Sequence, residues 1–464
     1  MSEIEDQIRL GLQLVAEDIQ LHPERRPMGR PRRRVATLAI GFAVVAAAAA
    51  VGIHERNSGS APQFINDAFD YTAVPYRPGG GFMISPPALP YSVATLSDVS
   101  AVSARDGWIV GASRRGGSSH QNGLAWHWDG TAWKNVALPN LSGQVELMSV
   151  AAVDDGEAWA VGWHTDRGNY RIGHALVEHW DGQGWSVVPV PYAGSSNLIS
   201  VSADGPADAW TIGASFRRDR HGKFPASGTR PLLLHWNGAI WSAVALPWAR
   251  PGLVNYARVI ADGPADVWVL VNSQIEHWDG TSWRSVPAPF GPRDPLTAFS
   301  ATSADDAWAV GSYRKGKHSQ TLAAHWDGQL WQIAPTPNRG TDSNLTDVVA
   351  VSPDDAWAVG KSEWLKFVGG GVHGRFLGAL FEHWDGRSWK VMPGAVPQVW
   401  AGFPFLGAAA DGTAWAIGSC YIDNALMRWS GSAWTIATHP PDQHRRVGWK
   451  ARRGHFGHCG VAPG

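Results

Sequence analysis

One tryptophan-containing segment recurs along this chain and constrains the fold more than any other feature. In its full form it reads His-Trp-Asp-Gly, followed closely by another tryptophan, and its seven copies begin at His127, His179, His235, His277, His325, His383 and Arg428. A second motif, Asp-Ala-Trp-Ala-Val-Gly in its fullest form, precedes each copy and is centred on Trp108, Trp159, Trp210, Trp268, Trp308, Trp357 and Trp415. A spacing of roughly 40 to 58 residues is typical of β-propeller repeats.

The tryptophan content follows from the repeat. Three tryptophans in each of seven repeats account for 21 of the 27 in the chain, so they need no catalytic explanation. The 53 glycines and 31 prolines suit short strands joined by tight turns. A net charge of -1 excludes the global positive charge of many nucleic-acid-binding proteins. At 464 residues the chain could hold several domains, but a closed β architecture can form one unit of similar length.

The fifth repeat shows how one copy is expected to fold. Apolar segments at 296–303, 307–312, 322–326 and 331–334 are separated by turn residues, and Asp327-Gly328 is a strong hairpin signal. Four antiparallel strands repeated seven times predict an all-β fold, a seven-bladed β-propeller over residues 93–440. Alternation places Trp308 on one sheet face and the neighbouring alanines on the other. We therefore expect the bulky face of one blade to pack on the flat face of the next.

These residues resemble kelch and galactose-oxidase-like propeller repeats. The resemblance rests on the aromatic-aliphatic-Gly end of the second strand, the tight turn and the Trp and Pro of the fourth strand. The sequence departs from kelch repeats in having one glycine where they usually carry a pair, at Gly111, Gly162, Gly213, Gly311, Gly360 and Gly418. The fourth repeat has Val271 there. The resemblance implies the architecture and is much less specific about activity.

The first 92 residues predict a membrane anchor. Residues 1–34 read as a cytoplasmic tail with a short amphipathic helix and an arginine cluster, and 35–53 as a transmembrane helix with the N-terminus cytoplasmic. Residues 54–92 read as an extracytoplasmic linker, which would place the propeller outside the cytoplasm. The alternative is a signal peptide cleaved near 48–50. The arrangement also resembles actinobacterial single-pass proteins, some of which are thought to regulate sigma factors.

Both ends of the repeat region leave alternatives open. Residues 71–75 resemble a fourth strand and could complete the last blade, although 434–438 already fit that role. The tail, 441–464, matches no repeat. Cys420 and Cys459 could form a disulfide in an oxidising compartment, or remain two unpaired thiols.

Candidate binding residues concentrate where the repeats differ. Connections from second to third strands hold 15 Lys and Arg but four acids, whereas the turns expected on the opposite face are acidic. Basic groups attract anions, and aromatic faces stack on flat ligands or cations. The predicted ligand-binding residues are therefore Arg114, Arg115, Trp163, Arg167, Arg171, Arg217, Arg218, Arg220, Trp248, Arg314, Lys315, Lys317, Trp364 and Trp400. Ordinary solvated loops are the alternative.

Three functions fit the sequence. The favoured hypothesis is a membrane-anchored recognition module for an anionic envelope polysaccharide or protein, with signalling through the tail or a cytoplasmic partner of the N-terminal helix as an extension. The alternatives are a carbohydrate-acting oxidase or glycosidase-like enzyme on the same scaffold, and a passive envelope scaffold. No cofactor, metal or nucleic acid is predicted. The repeated histidines and aspartates are assigned a structural role, because six histidines occupy one identical blade position and the ring would hold them far apart around its rim.

Overall fold

The computed structural model describes residues 93–438, apart from 115–119, 155, 168, 192–193, 218–225, 255, 292–295, 369–370, 394–404 and 421–422. The predicted cytoplasmic helix, transmembrane segment 35–53, linker and C-terminal tail, together with the candidate strand 71–75, lie outside these residues. In the described ranges, no helix has both the length and the hydropathy needed to cross a bilayer.

The described residues form seven four-stranded sheets, numbered here as blades 1 to 7 in chain order. Blade 1 contains β1 Val93–Ser103, β2 Asp106–Arg114, β3 Gln121–Trp128 and β4 Trp133–Val136. Blade 2 contains β5 Val145–Asp154, β6 Glu157–Asp166, β7 Asn169–Trp180 and β8 Trp185–Val187. Blade 3 contains β9 Ser195–Gly205, β10 Asp208–Phe216, β11 Thr229–Trp236 and β12 Trp241–Val244, with a 3₁₀ turn at Ala226–Gly228.

The remaining four blades repeat this pattern. Blade 4 contains β13 Ala257–Ala261, β14 Val267–Val271, β15 Gln274–Trp278 and β16 Trp283–Val286. Blade 5 contains β17 Leu296–Ser303, β18 Asp306–Lys315, β19 His318–Trp326 and β20 Trp331–Ala334. Blade 6 contains β21 Asp342–Ser352, β22 Asp355–Val368, β23 Gly371–Trp384 and β24 Trp389–Val391. Blade 7 contains β25 Phe405–Ala408, β26 Ala414–Cys420, β27 Asp423–Trp429 and β28 Trp434–Thr438.

The blades close into a ring without exchanging strands. In every sheet four consecutive strands pair antiparallel in chain order, and the first strand of each blade lies beside the first strands of its neighbours, around the axis. The first strand of blade 7 in turn lies beside β1. The predicted seven-bladed propeller is therefore confirmed, and β28 is the fourth strand of the last blade, paired with β27.

The seams between blades explain the repeated tryptophans. Trp108 of blade 1 packs against Trp180 and Trp185 of blade 2, with ring centroids 5.1 and 4.9 Å apart. The same cluster also contains Ala158 and Ala160 of blade 2. The predicted packing of a bulky face on a flat one is thus confirmed, and the partner tryptophans add edge-to-face contacts.

The repeated histidine orients the second-strand tryptophan from inside the blade. The His127 Nε2 lies 2.5 Å from Asp106 Oδ1, and its ring packs 4.6 Å from that of Trp108. Equivalent histidine–carboxylate contacts, at 2.5 to 3.2 Å, join His179 to Glu157, His235 to Asp208, His277 to Asp266, His325 to Asp306 and His383 to Asp355. The structural role predicted for these side chains is confirmed.

The seventh repeat departs from the pattern where the ring closes. Arg428 replaces the histidine, and its guanidinium lies 5.2 Å from the rings of both Trp128 and Trp415, which belong to blades 1 and 7. The backbone N–H of Ala104 in blade 1 donates to Asp411 Oδ2 in blade 7. A cation over two aromatic faces therefore joins the first and last blades.

The hairpin after each third strand uses one turn chemistry. Its glycine adopts a φ of 81° to 88° in all seven blades. In blade 1 the Asp129 Oδ1 accepts hydrogen bonds from the backbone N–H groups of Thr131 and Ala132, both at 2.9 Å. A side-chain acceptor followed by a left-handed glycine fixes the hairpin register.

The single glycine of the second strand allows a bulge in the first strand. The register of β5 slips between Leu147 and Ser149, opposite Gly162. A Cβ at Gly162 would lie only 1.9 Å from the Glu146 carbonyl oxygen. Blade 4, which has Val271 at this position, pairs its first two strands without a register shift. The glycine therefore permits the bulge, which redirects the side chains near the axis.

We expect Gly162→Ala to reduce the free energy of unfolding by roughly 1–3 kcal/mol, because a backbone atom must move to admit the methyl group. Urea denaturation of the full chain measures the change. Gly184→Ala in the same blade is the control, since a Cβ there would meet no atom within 4 Å. Equal stability of the two variants would contradict the role assigned to Gly162.

Candidate binding face and central channel

The two ends of the ring differ in chemistry. Because successive strands alternate in direction, the second-to-third and fourth-to-first connections emerge on one end, called here the variable face. The first-to-second and third-to-fourth turns emerge on the other, called the turn face. Each face therefore collects equivalent connections from every blade.

The variable face carries the basic side chains that the sequence singled out, where the structure describes them. Those exposed at or beyond the ends of the second strands are Arg114, Arg167, Arg217, Arg314, Lys315 and Lys317. Arg114 also donates from Nη2 to Gln121 Oε1 at 2.9 Å. The structure thus places these cations on one end of the ring, above different blades.

Of the other predicted site residues, some lie in described strands or loops and the rest lie outside the described residues. Trp163 lies half-buried in β6, and Trp248 packs against the cluster at the seam between blades 3 and 4. Arg171 lies in β7, Trp364 in β22 and Cys420 at the end of β26. Outside the described residues lie Arg115, Arg218, Arg220, Trp400 and Cys459.

The turn face is acidic, and several of its aspartates have a lowered pKa, although burial raises the pKa of Asp262. A hydrogen bond from Lys134 is the main cause that lowers the pKa of Asp129, and a bond from the Thr281 hydroxyl does the same for Asp279. Backbone N–H groups lower the pKa of Asp181. The ring is therefore polarised, with fixed negative charge on one end and exposed positive charge on the other.

Polar side chains also converge in the central channel, at one position of the first strands. The residue aligned with Asp98, directly before an apolar residue of each first strand, is Asp98, Ser149, Ser200, Arg258, Ala298, Asp347 and Phe405 in blades 1 to 7. These residues lie nearest the axis because the first strands surround it. They form the second part of the candidate site.

Hydrogen bonds at this position tie successive blades together. Asp98 Oδ2 accepts from the Ser149 hydroxyl at 2.7 Å and from the Val150 N–H at 3.1 Å. Ser149 Oγ accepts from the Val201 N–H at 3.3 Å, which continues the contact from blade 2 to blade 3. Ser200 Oγ of blade 3 similarly accepts from the N–H of Val259 in blade 4 at 3.2 Å. Side chains of the first strands therefore form hydrogen bonds from each of blades 1 to 3 to the next blade around the channel.

Arg258 extends these contacts between blades, because it pairs with a residue of a blade that is not its neighbour. Its Nη1 donates to Asp347 Oδ1 of blade 6 at 2.9 Å, past Ala298 of blade 5. Asp347 Oδ2 then accepts from the N–H of Leu406 in blade 7 at 2.9 Å. This ion pair links two blades that are not neighbours in the ring.

The pKa values of Asp98, Arg258 and Asp347 depend on one another. Burial raises the pKa of Asp98 to about 6, although the positive charge of Arg258 opposes that rise. Burial likewise raises the pKa of Asp347, again against Arg258. Burial alone would lower the pKa of Arg258, but Asp347, Tyr256 and Asp98 together outweigh it and raise that pKa. Burial also raises the pKa of Tyr256 beside them. The group therefore behaves as one coupled electrostatic unit.

Two glutamates, one in blade 2 and one in blade 6, are buried at interfaces between blades. Glu178 and Glu382 have no exposed surface, and their carboxylate oxygens have no hydrogen-bond partner among the described residues. Glu178 pairs across the sheet with Ala160, on the face that packs against blade 1. Burial raises the pKa of Glu178 to about 8 and that of Glu382 well above its usual range.

The sequence did carry a signal for the channel group, which the predicted site omitted. In four repeats a leucine two residues before and a valine directly after, as in Leu147-Met148-Ser149-Val150, enclose a polar residue, which is Asp in two repeats and Ser in two. A polar residue that recurs in an apolar frame indicates a hydrogen-bonding role rather than packing alone. The described residues contain no group of three or more His, Cys, Asp or Glu side chains arranged to hold a metal ion.

Comparison with known proteins adds only structural likeness. No family model and no curated protein matches the chain. A structure titled YCF48 bound to D1 peptide is 19% identical, with 66% of this chain and 84% of that chain covered and a TM-score of 0.41. A xyloglucanase from Xanthomonas campestris is 14% identical, with 76% and 55% covered and a TM-score of 0.46.

An acylaminoacyl peptidase from Pyrococcus horikoshii is 12% identical, with 76% of this chain and 54% of that chain covered and a TM-score of 0.48. The chain spans about half the length of both enzymes. These likenesses concern the fold alone. The kelch resemblance stays a prediction.

Proposed function

We propose that this protein is a membrane-anchored extracytoplasmic recognition module, and that its variable face binds an anionic envelope partner. The observation that carries this proposal is the separation of charge between the two ends of the ring. Exposed cations such as Arg217, Arg314 and Lys317 project from the variable face, while the turn face holds ionised aspartates. Complementary potentials speed encounter with an anionic partner and fix its orientation.

The location is proposed from the sequence. Residues 35–53 carry no charged side chain, and six arginines lie between residues 25 and 34. Arginines beside an apolar segment favour the cytoplasmic side for that end of the chain. The propeller would then meet the cell envelope.

Binding of anionic polymers by the full-length protein in detergent micelles tests the proposal. The probes are a fluorescein-labelled peptide of repeating Glu-Glu-Leu and labelled polygalacturonate, measured by fluorescence anisotropy at low and high salt. We expect the triple variant Arg314→Glu, Lys315→Glu and Lys317→Glu to bind at least one probe about tenfold more weakly, a loss of about 1.4 kcal/mol. Added salt should weaken wild-type binding as well.

A triple variant with the same change in charge elsewhere is the control. Lys134→Glu, Arg284→Glu and Arg387→Glu alter exposed cations of the outer strands and the turn face. We expect this variant to bind as the wild type does, within about twofold. Equal losses in the two triple variants, or binding of neither probe, would contradict the proposed face.

A further inference from the structure

The hairpin between β18 and β19 concentrates basic side chains at its end on the variable face. Residues 314–318, called here the blade 5 tip, contain one arginine, two lysines and one histidine, and all are exposed. Only Gly316 and Lys317 connect the two strands, and Gly316 has a φ of 64°. Between residues 308 and 341 the single acidic residue is Asp327, which lies in a turn on the opposite face. The tip therefore carries concentrated positive charge on a tight turn.

The fourth strand of blade 5 ends below this tip. The last residue of β20, Ala334, pairs with Ala323 of β19. Beyond Ala323, no strand among the described residues continues the ladder on the outer edge of β19. The backbone N–H groups on that edge need acceptors from another source.

Two side chains supply these acceptors. Asn338 Oδ1 accepts from the Thr321 N–H at 2.8 Å. Closer to the tip, Asp342 Oδ1 accepts from the Ser319 N–H at 2.7 Å, and Asp342 Oδ2 lies 3.2 Å from His318 Nδ1. Asp342 is the first residue of β21, so its contacts join the blade 5 tip to blade 6. Side-chain acceptors thus take the place of the missing fourth strand.

Asp342 puts a negative charge beside a surface that we propose binds anions. By charge alone it would oppose binding, because it repels an anion at the tip. Its side chain is 31% exposed, however, so water and salt screen that repulsion. A hairpin that is already ordered loses less backbone and side-chain entropy when a ligand binds. We therefore expect the hydrogen bonds of Asp342 to favour binding by more than its charge opposes it.

We propose that Asp342 is a positioning residue for anion binding, which holds the blade 5 tip in the conformation that presents its basic side chains to the partner. This inference rests on the proposed function. It makes an acidic side chain necessary for tight binding of an anion. Net charge alone gives the opposite expectation, since loss of a carboxylate would then strengthen binding.

Two variants of the full-length protein with the same change in charge separate these effects. Asp342→Ala removes both acceptor oxygens, whereas Asp342→Asn keeps one side-chain oxygen for the Ser319 N–H. In the anisotropy assay described above, we expect Asp342→Ala to bind whichever probe the wild type binds about fivefold more weakly. Asp342→Asn should restore binding to within about twofold of the wild type.

Glu146→Gln is the control for the loss of one negative charge. Glu146 lies in β5 of blade 2, also near the variable-face end of a first strand. We expect this variant to bind within about twofold of the wild type. Thermal melting of each variant establishes that the ring is intact. Hydrogen exchange of the segment 314–321 should be faster in Asp342→Ala than in Asp342→Asn, because the Ala variant loses the bond to Ser319.

Equal binding by the two Asp342 variants would overturn the positioning role, as would tighter binding by both than by the wild type. Faster exchange at the tip without weaker binding would also overturn it. If the Arg314, Lys315 and Lys317 triple reversal weakens binding but neither Asp342 variant does, the proposed function stands and the role of Asp342 is lost. Binding of neither probe by the wild type would remove both proposals.

Discussion

Trp308→Ala should lower the free energy of unfolding by about 3–5 kcal/mol. The side chain has no exposed surface and contacts Trp384 and Trp389 of the next blade, with ring centroids 5.0 and 4.9 Å apart. It also covers Ala356 and Ala358. Alanine would leave a cavity in the seam, and the flanking sheets cannot collapse into it without disturbing the ring.

Urea denaturation of the full chain, followed by tryptophan fluorescence and circular dichroism, measures this loss. Leu330→Ala is the control, because Leu330 is largely exposed in a turn of the same blade. Its stability should remain within about 0.5 kcal/mol of the wild type. A loss below about 1 kcal/mol for Trp308→Ala would mean that the seam is not the tightly packed core described above.

Glu178→Leu should stabilise the protein, and the gain should grow with pH. Burial raises the pKa of Glu178 to about 8, so the folded state keeps a proton that the unfolded state loses above its ordinary pKa, near 4.5. Unfolding therefore releases a proton in this window. Glu178 alone therefore lowers stability by about 1.4 kcal/mol per pH unit as the pH rises from about 4.5 to 8. Removing its carboxyl group removes this contribution, a difference of roughly 4 kcal/mol near pH 8, and leaves that of Glu382 in place.

Urea denaturation at several pH values between about 4 and 8 measures the predicted change in slope. Leucine suits the site, because Leu234 occupies the equivalent position of blade 3 and is fully buried. Glu276→Gln is the control, at the same position of blade 4, where Gln274 donates to the Glu276 carboxylate at 2.9 Å. It should retain the wild-type slope, since Glu178 is intact. A pH-independent difference between Glu178→Leu and the wild type would contradict the assigned protonation.

The fifth repeat shows how far local sequence determines the blade. The predicted first and fourth strands, 296–303 and 331–334, match β17 and β20. The predicted second and third strands were too short, because their hairpin continues until Lys315 pairs with His318 around Gly316, at a φ of 64°. That arm consists mostly of polar residues, so no apolar alternation marks the strands.

The channel shows where local sequence stops being informative. Asp98, Arg258 and Asp347 come from blades 1, 4 and 6 and are far apart in the chain, so only the closed ring brings them together. The position is visible in the repeat, but the ion pair joins Arg258 of blade 4 to Asp347 of blade 6, which are not neighbouring blades. The basic face, by contrast, could be predicted from sequence, since every blade sends its second-to-third connection to the same end.

The closure of the ring has a consequence for how the protein can be rearranged. Every blade is a continuous stretch of chain, and blades 1 and 7 meet through side chains such as Trp128, Trp415 and Arg428. The covalent links between blades are therefore interchangeable with the non-covalent contact that joins the first blade to the last. A circular permutant, with residues 93 and 438 joined by a linker and new termini opened between any two blades, would keep every sheet whole. Natural variants that lose or duplicate a blade would instead have to change the curvature at every seam.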